Sequence, residues 1–273
     1  MREAWLRAAL AWTEARLERP FDTTPFCAAP LAAPEDYRRR WESARAIEYP
    51  EVDRWEREWG VAIDRTWLDA LALPTQITIK ASELCYQHGR LLYALARRAA
   101  QRVTDGRVTI VETGTARGFS ALCMTKGLAD AGASGLVMTV DVLPHDRPIY
   151  WNCYRDAEGR RTRAQLLEAY RDLLERYVVF LRGDSPRVLA RVSVPRVHLA
   201  VLDSVHTYEH VQAEWAALHG RQQAGDVLFF DDYTPEQYPG VVQAADEICA
   251  RGGYVPTVIT AAARRRYLVA EKR

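Results

Sequence analysis

The sequence predicts an α/β fold: a doubly wound, mostly parallel seven-stranded sheet with an antiparallel terminal hairpin, preceded by a helical N-terminal extension. Three observations carry this expectation. Five short apolar, β-branched runs alternate with helix-like segments after Pro74, the pattern of parallel strands covered on both faces. The last two apolar runs flank only a few alanines and arginines, which reads as a hairpin added at the sheet edge. Before residue 75 the texture is helical, and six of the eight tryptophans lie there: Trp5, Trp12, Trp41, Trp55, Trp59 and Trp67.

In chain order, residues 1–78 form the expected extension. Trp5, Leu6, Ala9, Leu10 and Leu17 fall near one face of its first helix, a stripe of helical period. That stripe suits packing against the main domain or a partner subunit, or a lid over a pocket. Residues 79–273 form the main domain. Its strands are VTIVET (108–113), GLVMTVDV (135–142), VVFLRG (178–183), VHLAVLD (197–203) and DVLFFDD (226–232), followed by YVPTVIT and RRYLVAE. An insertion at about 144–177 separates the second and third strands. Its second half, from Thr162, has the period of one amphipathic helix, whereas residues 145–160 have no clear period and carry Tyr150, Trp151 and Tyr154. Long irregular loops of this kind are often functional.

Thirty-seven basic residues against thirty-six acidic ones leave a net charge of +1, so no global field recruits nucleic acid or a membrane surface. The five cysteines are odd in number and never in a C-x-x-C pair, which argues against a disulfide framework and a zinc knuckle. They read as reduced, buried thiols. The amino terminus interleaves charges with its apolar residues and lacks the uninterrupted apolar segment of a signal peptide or span; a cytoplasmic location is expected.

Open α/β sheets bind ligands at the carboxyl ends of their strands. The first strand therefore delivers Glu112, Gly114 and Gly118 to such a site. A dinucleotide fold would place its second fingerprint glycine where this chain has Ala116, so the phosphate cradle is missing. The second strand ends in Asp141, at the distance downstream expected of an acid that accepts from ribose hydroxyls. The third ends in Gly183, Asp184 and Ser185, polar groups that can meet an adenine edge. Together these ends describe a nucleoside pocket without a phosphate site.

A second cluster lies at the ends of the fourth and fifth strands: Asp203, then Asp231 with Asp232. Neighbouring strands lie about 5 Å apart, so the three carboxylates can converge, and a bound cation would relieve their repulsion. All-oxygen ligation favours a hard ion such as Mg²⁺. His206 follows at the mouth of the fourth strand and suits removal of an alcohol proton. The run HTYEH, 206–210, also fits an H-x-x-E-H zinc peptidase pattern, but His206 abuts a strand end, so the two histidines straddle a helix boundary.

ETGTARGFSAL, the acid in TVDVLP, GDS, LDSVHTYEHV and GDVLFFDDY, in this order, resemble the class I S-adenosylmethionine-dependent methyltransferases. More narrowly they are similar to the metal-assisted small-molecule O-methyltransferases of the macrocin O-methyltransferase and cephalosporin hydroxylase-like group. The likeness runs from about Ile79 to the end. It implies that Glu112, Gly114, Ser120, Asp141 and Asp184 contact the methyl donor, with Thr115, Gly118 and Ser185 in the same pocket. It also implies that Asp203, Asp231 and Asp232 bind a divalent ion, with Asp203 and His206 acting on the substrate hydroxyl. Members often carry an acid just before this histidine, where this chain has Val205. Tyr150, Trp151, Tyr208 and Tyr233 are candidate walls for a small-molecule acceptor, and the tryptophans suggest a homo-oligomer, a dimer. The alternatives are an NAD-dependent oxidoreductase, disfavoured by Ala116 and the hairpin, and a noncatalytic methyltransferase-like subunit.

Overall fold

A computed structural model describes residues 26–103, 106–262 and 265–273 of the chain. The expected first helix, with Trp5, Leu6, Ala9, Leu10, Trp12 and Leu17, lies outside them.

Three helices come first: α1 (Pro34–Arg45), α2 (Pro50–Trp59) and α3 (Arg65–Thr75). Each starts where its sequence provides for it. Prolines open α1 and α2, where a missing N–H costs nothing, and Asp64 caps α3 by accepting from the Trp67 amide at 2.8 Å. There follow α4 (His88–Arg102), β1 (Val108–Thr113), α5 (Phe119–Asp130) and β2 (Gly135–Asp141). The rest is α6 (Arg163–Leu166), α7 (Arg171–Tyr177), β3 (Val178–Arg182), α8 (Ser185–Leu189), β4 (Leu199–Leu202), α9 (Tyr208–Leu218), β5 (Val227–Phe230), α10 (Pro239–Gly252), β6 (Tyr254–Ala262) and β7 (Arg265–Lys272).

The strands form one seven-stranded sheet in the order β3-β2-β1-β4-β5-β7-β6. β1 to β5 pair in parallel, and β7 is antiparallel to both β5 and β6. The sheet is therefore mostly parallel with an antiparallel terminal hairpin, as expected. Its central strands are buried on both faces because successive side chains alternate. Val201 and Phe229 join Leu91, Leu95, Met124 and Leu128 of α4 and α5 on one face. Ala200 and Leu228 meet Val211 of α9 and Ala244 and Ile248 of α10 on the other.

A third apolar cluster joins Tyr37, Leu68 and Leu71 of the first helices to Trp151, Cys153, Leu167 and Phe119. Asn152 ties it together: its Oδ1 accepts from Tyr37 Oη at 3.1 Å and from the Ile79 amide at 2.9 Å, while its Nδ2 donates to the Ile79 carbonyl at 3.0 Å. The insertion's expected single helix is broken, because Leu167 leaves helical geometry (φ −102°, ψ 14°) between α6 and a short 3₁₀ turn, Glu168–Tyr170, that precedes α7. Leu167 is buried in that third cluster instead. All five cysteines are free thiols, four of them buried. Among the described residues, no helix is long and apolar enough to cross a membrane.

Candidate functional site

β1 pairs with β2 on one side and β4 on the other, so strand order reverses at β1 and a crevice opens at its carboxyl end. A cavity of about 470 Å³ lies there, lined by Gly114, Arg117, Asp141, Asp184, Asp203 and His206 among others. That is large enough for a cofactor-sized molecule.

The turn after β1 forms the floor. Gly114 adopts φ +88°, and a Cβ on it would lie 1.9 Å from the Asp203 carbonyl oxygen, so β1 and β4 can approach this closely only at a glycine. Ala116 takes the left-handed φ of +44° despite its side chain. Asp141 holds it there, accepting from the Ala116 amide at 2.5 Å through Oδ2 and from the Leu143 amide at 2.9 Å through Oδ1. Each carboxylate oxygen retains a lone pair for a further donor. Arg163 of α6 buttresses the same turn, donating from Nε to the Ala116 carbonyl at 2.9 Å, with Nη2 3.8 Å from Asp141.

Arg117 reaches back from the turn. Its buried guanidinium lies 5.1 Å from the Phe26 ring centroid and Nε donates to the Trp151 carbonyl at 2.5 Å. Its Nη2 has no hydrogen-bond partner among the described residues. Beyond β3, Ser185 Oγ lies 3.0 Å from His210 Nε2 and donates to Glu214 at 2.5 Å, and Ser204 donates to the same carboxylate at 2.5 Å.

The second cluster forms at the ends of β4 and β5. His206 Nε2 is 3.3 Å from both Asp203 Oδ1 and Asp232 Oδ2. Burial works against its charge, but the Asp203 hydrogen bond and the charges of Asp203, Asp232 and Asp231 prevail and push its pKa up to about 9. Burial, then the neighbouring Asp231, raises Asp203. Asp232 adopts φ +54°, and burial with the Asp231 charge raises it to about 6. Asp231 moves the other way. Burial would raise it, but Arg265, His88 and His206 together hold it below the usual carboxylate range. Arg265 is the partner: its Nη2 lies 2.5 Å from Asp231 Oδ2 and its Nη1 2.5 Å from Asp232 Oδ1.

A protein-family profile described as a methyltransferase domain matches residues 111–233, from β1 to the end of this cluster. Residues 111–233 are thus similar to a methyltransferase domain. Solved structures share its fold at low identity. The O-methyltransferase NovP is 19% identical over 76% of this chain and 99% of its own, with a TM-score of 0.54. An O-methyltransferase from Bacillus cereus, in complex with SAH, is 16% identical over 81% and 97%, at 0.52. TomG from Streptomyces achromogenes, in complex with SAM, is 17% identical over 78% and 92%, at 0.50. No curated protein sequence matches the chain.

Within residues 111–233 the expected residues divide into two groups. Gly114, Asp141, Asp184, Ser185, Asp203 and His206 line one cavity. Glu112, Thr115, Gly118 and Ser120 do not line it. Glu112 is buried behind the turn, accepting from the Thr139 hydroxyl, and Thr115 Oγ1 lies 2.6 Å from that same hydroxyl. Asp203 and Asp232 come together with His206, whereas Asp231 is given to Arg265. His210 pairs with Ser185 and Glu214 while His206 pairs with Asp203 and Asp232, so the two histidines of the peptidase pattern have separate partners. Of the aromatic candidates, Trp151 is fully buried with its Nε1 donating to the Arg161 carbonyl at 2.7 Å. Tyr208 and Tyr233 donate to Glu247 and Asp246, each at 2.7 Å, and Tyr150 bridges to Cys27. None of the four lines this cavity. Arg117, Arg163 and Arg265 are singled out by no motif that the sequence offers. A cation inside a glycine turn, as in T-A-R-G, was the one available signal.

Proposed function

We propose that the chain is an S-adenosylmethionine-dependent methyltransferase acting on the hydroxyl of a small molecule. The observation that carries this reading is Asp141. Two backbone amides fix its carboxylate at the cavity wall, and its remaining lone pairs suit the two hydroxyls of a ribose. The Ala116 amide, which a phosphate cradle would need, is already spent on Asp141, which disfavours a dinucleotide. Arg117 supplies a buried, unpartnered donor beside the same cavity, where a carboxylate such as that of the donor's amino acid end would satisfy it. Asp184 and Ser185 suit the adenine side.

When bound, S-adenosylmethionine supplies an electrophilic methyl group that transfers by in-line displacement. The protein's largest contribution to such a step is alignment. Gly114 sets the floor on which the donor rests, and His206 with Asp203 stands at the cavity rim, placed to take the acceptor's proton. The acceptor has its own seat. A second cavity of about 850 Å³ lies between α1 and residues 79–84, and Lys80 borders it while interacting electrostatically with Asp231 and Asp232. In this reading α1 and residues 79–84 shape the choice of substrate.

Thermal-shift titration tests the reading. S-adenosylhomocysteine is expected to raise the melting temperature and NAD to leave it unchanged. Stabilisation by NAD alone would replace the proposal with an oxidoreductase.

A further inference from the structure

The carboxylate cluster carries its own cation. Because β7 runs antiparallel to β5, its first residue lies at the sheet edge where the parallel strands end. Arg265 is that residue, and its fork spans two successive carboxylates, one nitrogen on Asp231 and the other on Asp232, each at 2.5 Å. Only 23% of its side chain is exposed. A guanidinium cannot shed its proton in a protein, so this positive charge is permanent.

The donors that remain do not fit a hard divalent ion. Among the described residues, the group whose ligand atoms lie within 4.8 Å of one another is Asp203, His206 and Asp232. It offers one nitrogen and two carboxylates, and one of those carboxylates is shared with Arg265. Mg²⁺ asks for a near-octahedral shell of oxygens. The all-oxygen set expected of Asp203, Asp231 and Asp232 is lost because Arg265 occupies the angle between the last two. A dication placed here would also face the permanent charge of Arg265, and the Lys80 ammonium, both of which interact with Asp231 and Asp232.

We propose that Arg265 is the resident cation of this site, a positioning residue that stands in for a divalent ion and keeps Asp232 within reach of His206. The placement of the site rests on the methyltransferase reading; the absence of an ion requirement goes beyond it. The chain would then bind its methyl donor and turn over without a metal.

Chelator-treated protein titrated with Mn²⁺, with free ion followed by electron paramagnetic resonance, tests this directly. The unaltered chain is expected to bind no stoichiometric Mn²⁺, and Arg265→Met to gain one ion per chain. Arg265→Gln, which keeps hydrogen bonding without the charge, serves if the methionine variant does not fold. One tightly bound ion per unaltered chain, lost in Asp232→Asn, would overturn the proposal. So would a folded Arg265 variant that still binds none. S-adenosylhomocysteine affinity, measured in the same chelated samples, is expected to be unchanged by added Mn²⁺. Failure of that ligand to bind with or without the ion would sink the methyltransferase reading and leave the ion result standing.

Discussion

Gly114 and Asp203 meet backbone to backbone at the strand-order reversal: a methyl group on Gly114 would lie 1.9 Å from the Asp203 carbonyl oxygen and 2.6 Å from its carbon. The contact is with main chain, so no rotamer change relieves it. Gly114→Ala also places a side chain at φ +88°. Together these should cost about 2–4 kcal/mol of folding stability, read as a lower midpoint in urea unfolding. Because β1 and β4 would have to separate, the loss should come with weakened S-adenosylhomocysteine binding. A variant as stable as the parent would show that the turn can relax.

Asp141 serves the turn and the proposed ribose at once. Asp141→Ala removes the acceptor of the Ala116 and Leu143 amides and the hydrogen bonds offered to a ligand. Bonds to a charged group contribute about 1.5–3 kcal/mol each, so calorimetry with S-adenosylhomocysteine should show affinity falling by at least about tenfold. Undiminished affinity would remove Asp141 from the pocket.

Much of this was legible in the sequence, for identifiable reasons. Strands covered on both faces must be apolar along their whole length, so VTIVET announces β1 at its observed bounds, Val108–Thr113. VHLAVLD overran β4, which spans only Leu199–Leu202, because flanking residues can be apolar without pairing. Polar residues at successive strand ends pointed to Asp141, Asp184 and Asp203 because a parallel sheet puts all its carboxyl ends on one edge. The insertion was opaque. Trp151 is core rather than pocket wall, and an aperiodic loop carries no signal for which of its aromatics turns inward. Arg265 was hidden for a different reason. At the start of an edge hairpin a basic run reads as a solvated turn, and only the antiparallel direction of β7 brings it to the acids of β5.

Glu112 links stability to pH. Burial, partly offset by the Thr139 hydroxyl, raises its pKa from 4.5 to about 8. Between these values the folded chain holds a proton that the unfolded chain has released, so stability falls as pH rises through this window and levels off above about 8. Glu112→Gln keeps a neutral group of the same shape and should remove this share of the slope. Chemical unfolding should find the two proteins similar near pH 5 and the variant more stable above pH 8. Parallel pH profiles would mean that Glu112 titrates normally.

His206 stands 3.3 Å from two carboxylates, Asp203 and Asp232, and together with Asp231 they push its pKa up to about 9. At neutral pH the imidazole is therefore mostly protonated, and the form able to accept a hydroxyl proton grows about tenfold per pH unit until the pKa is reached. Turnover of an accepted hydroxyl substrate should climb from pH 7 and level off near pH 9. His206→Ala should lower kcat by about a hundred- to ten-thousand-fold and flatten that rise, while S-adenosylhomocysteine affinity falls far less, because the proposed polar contacts to the donor come from Asp141 and Arg117 rather than from His206. Unchanged kcat in the variant would move the proton to another acceptor. A lost affinity with normal kcat would instead make His206 part of the binding wall.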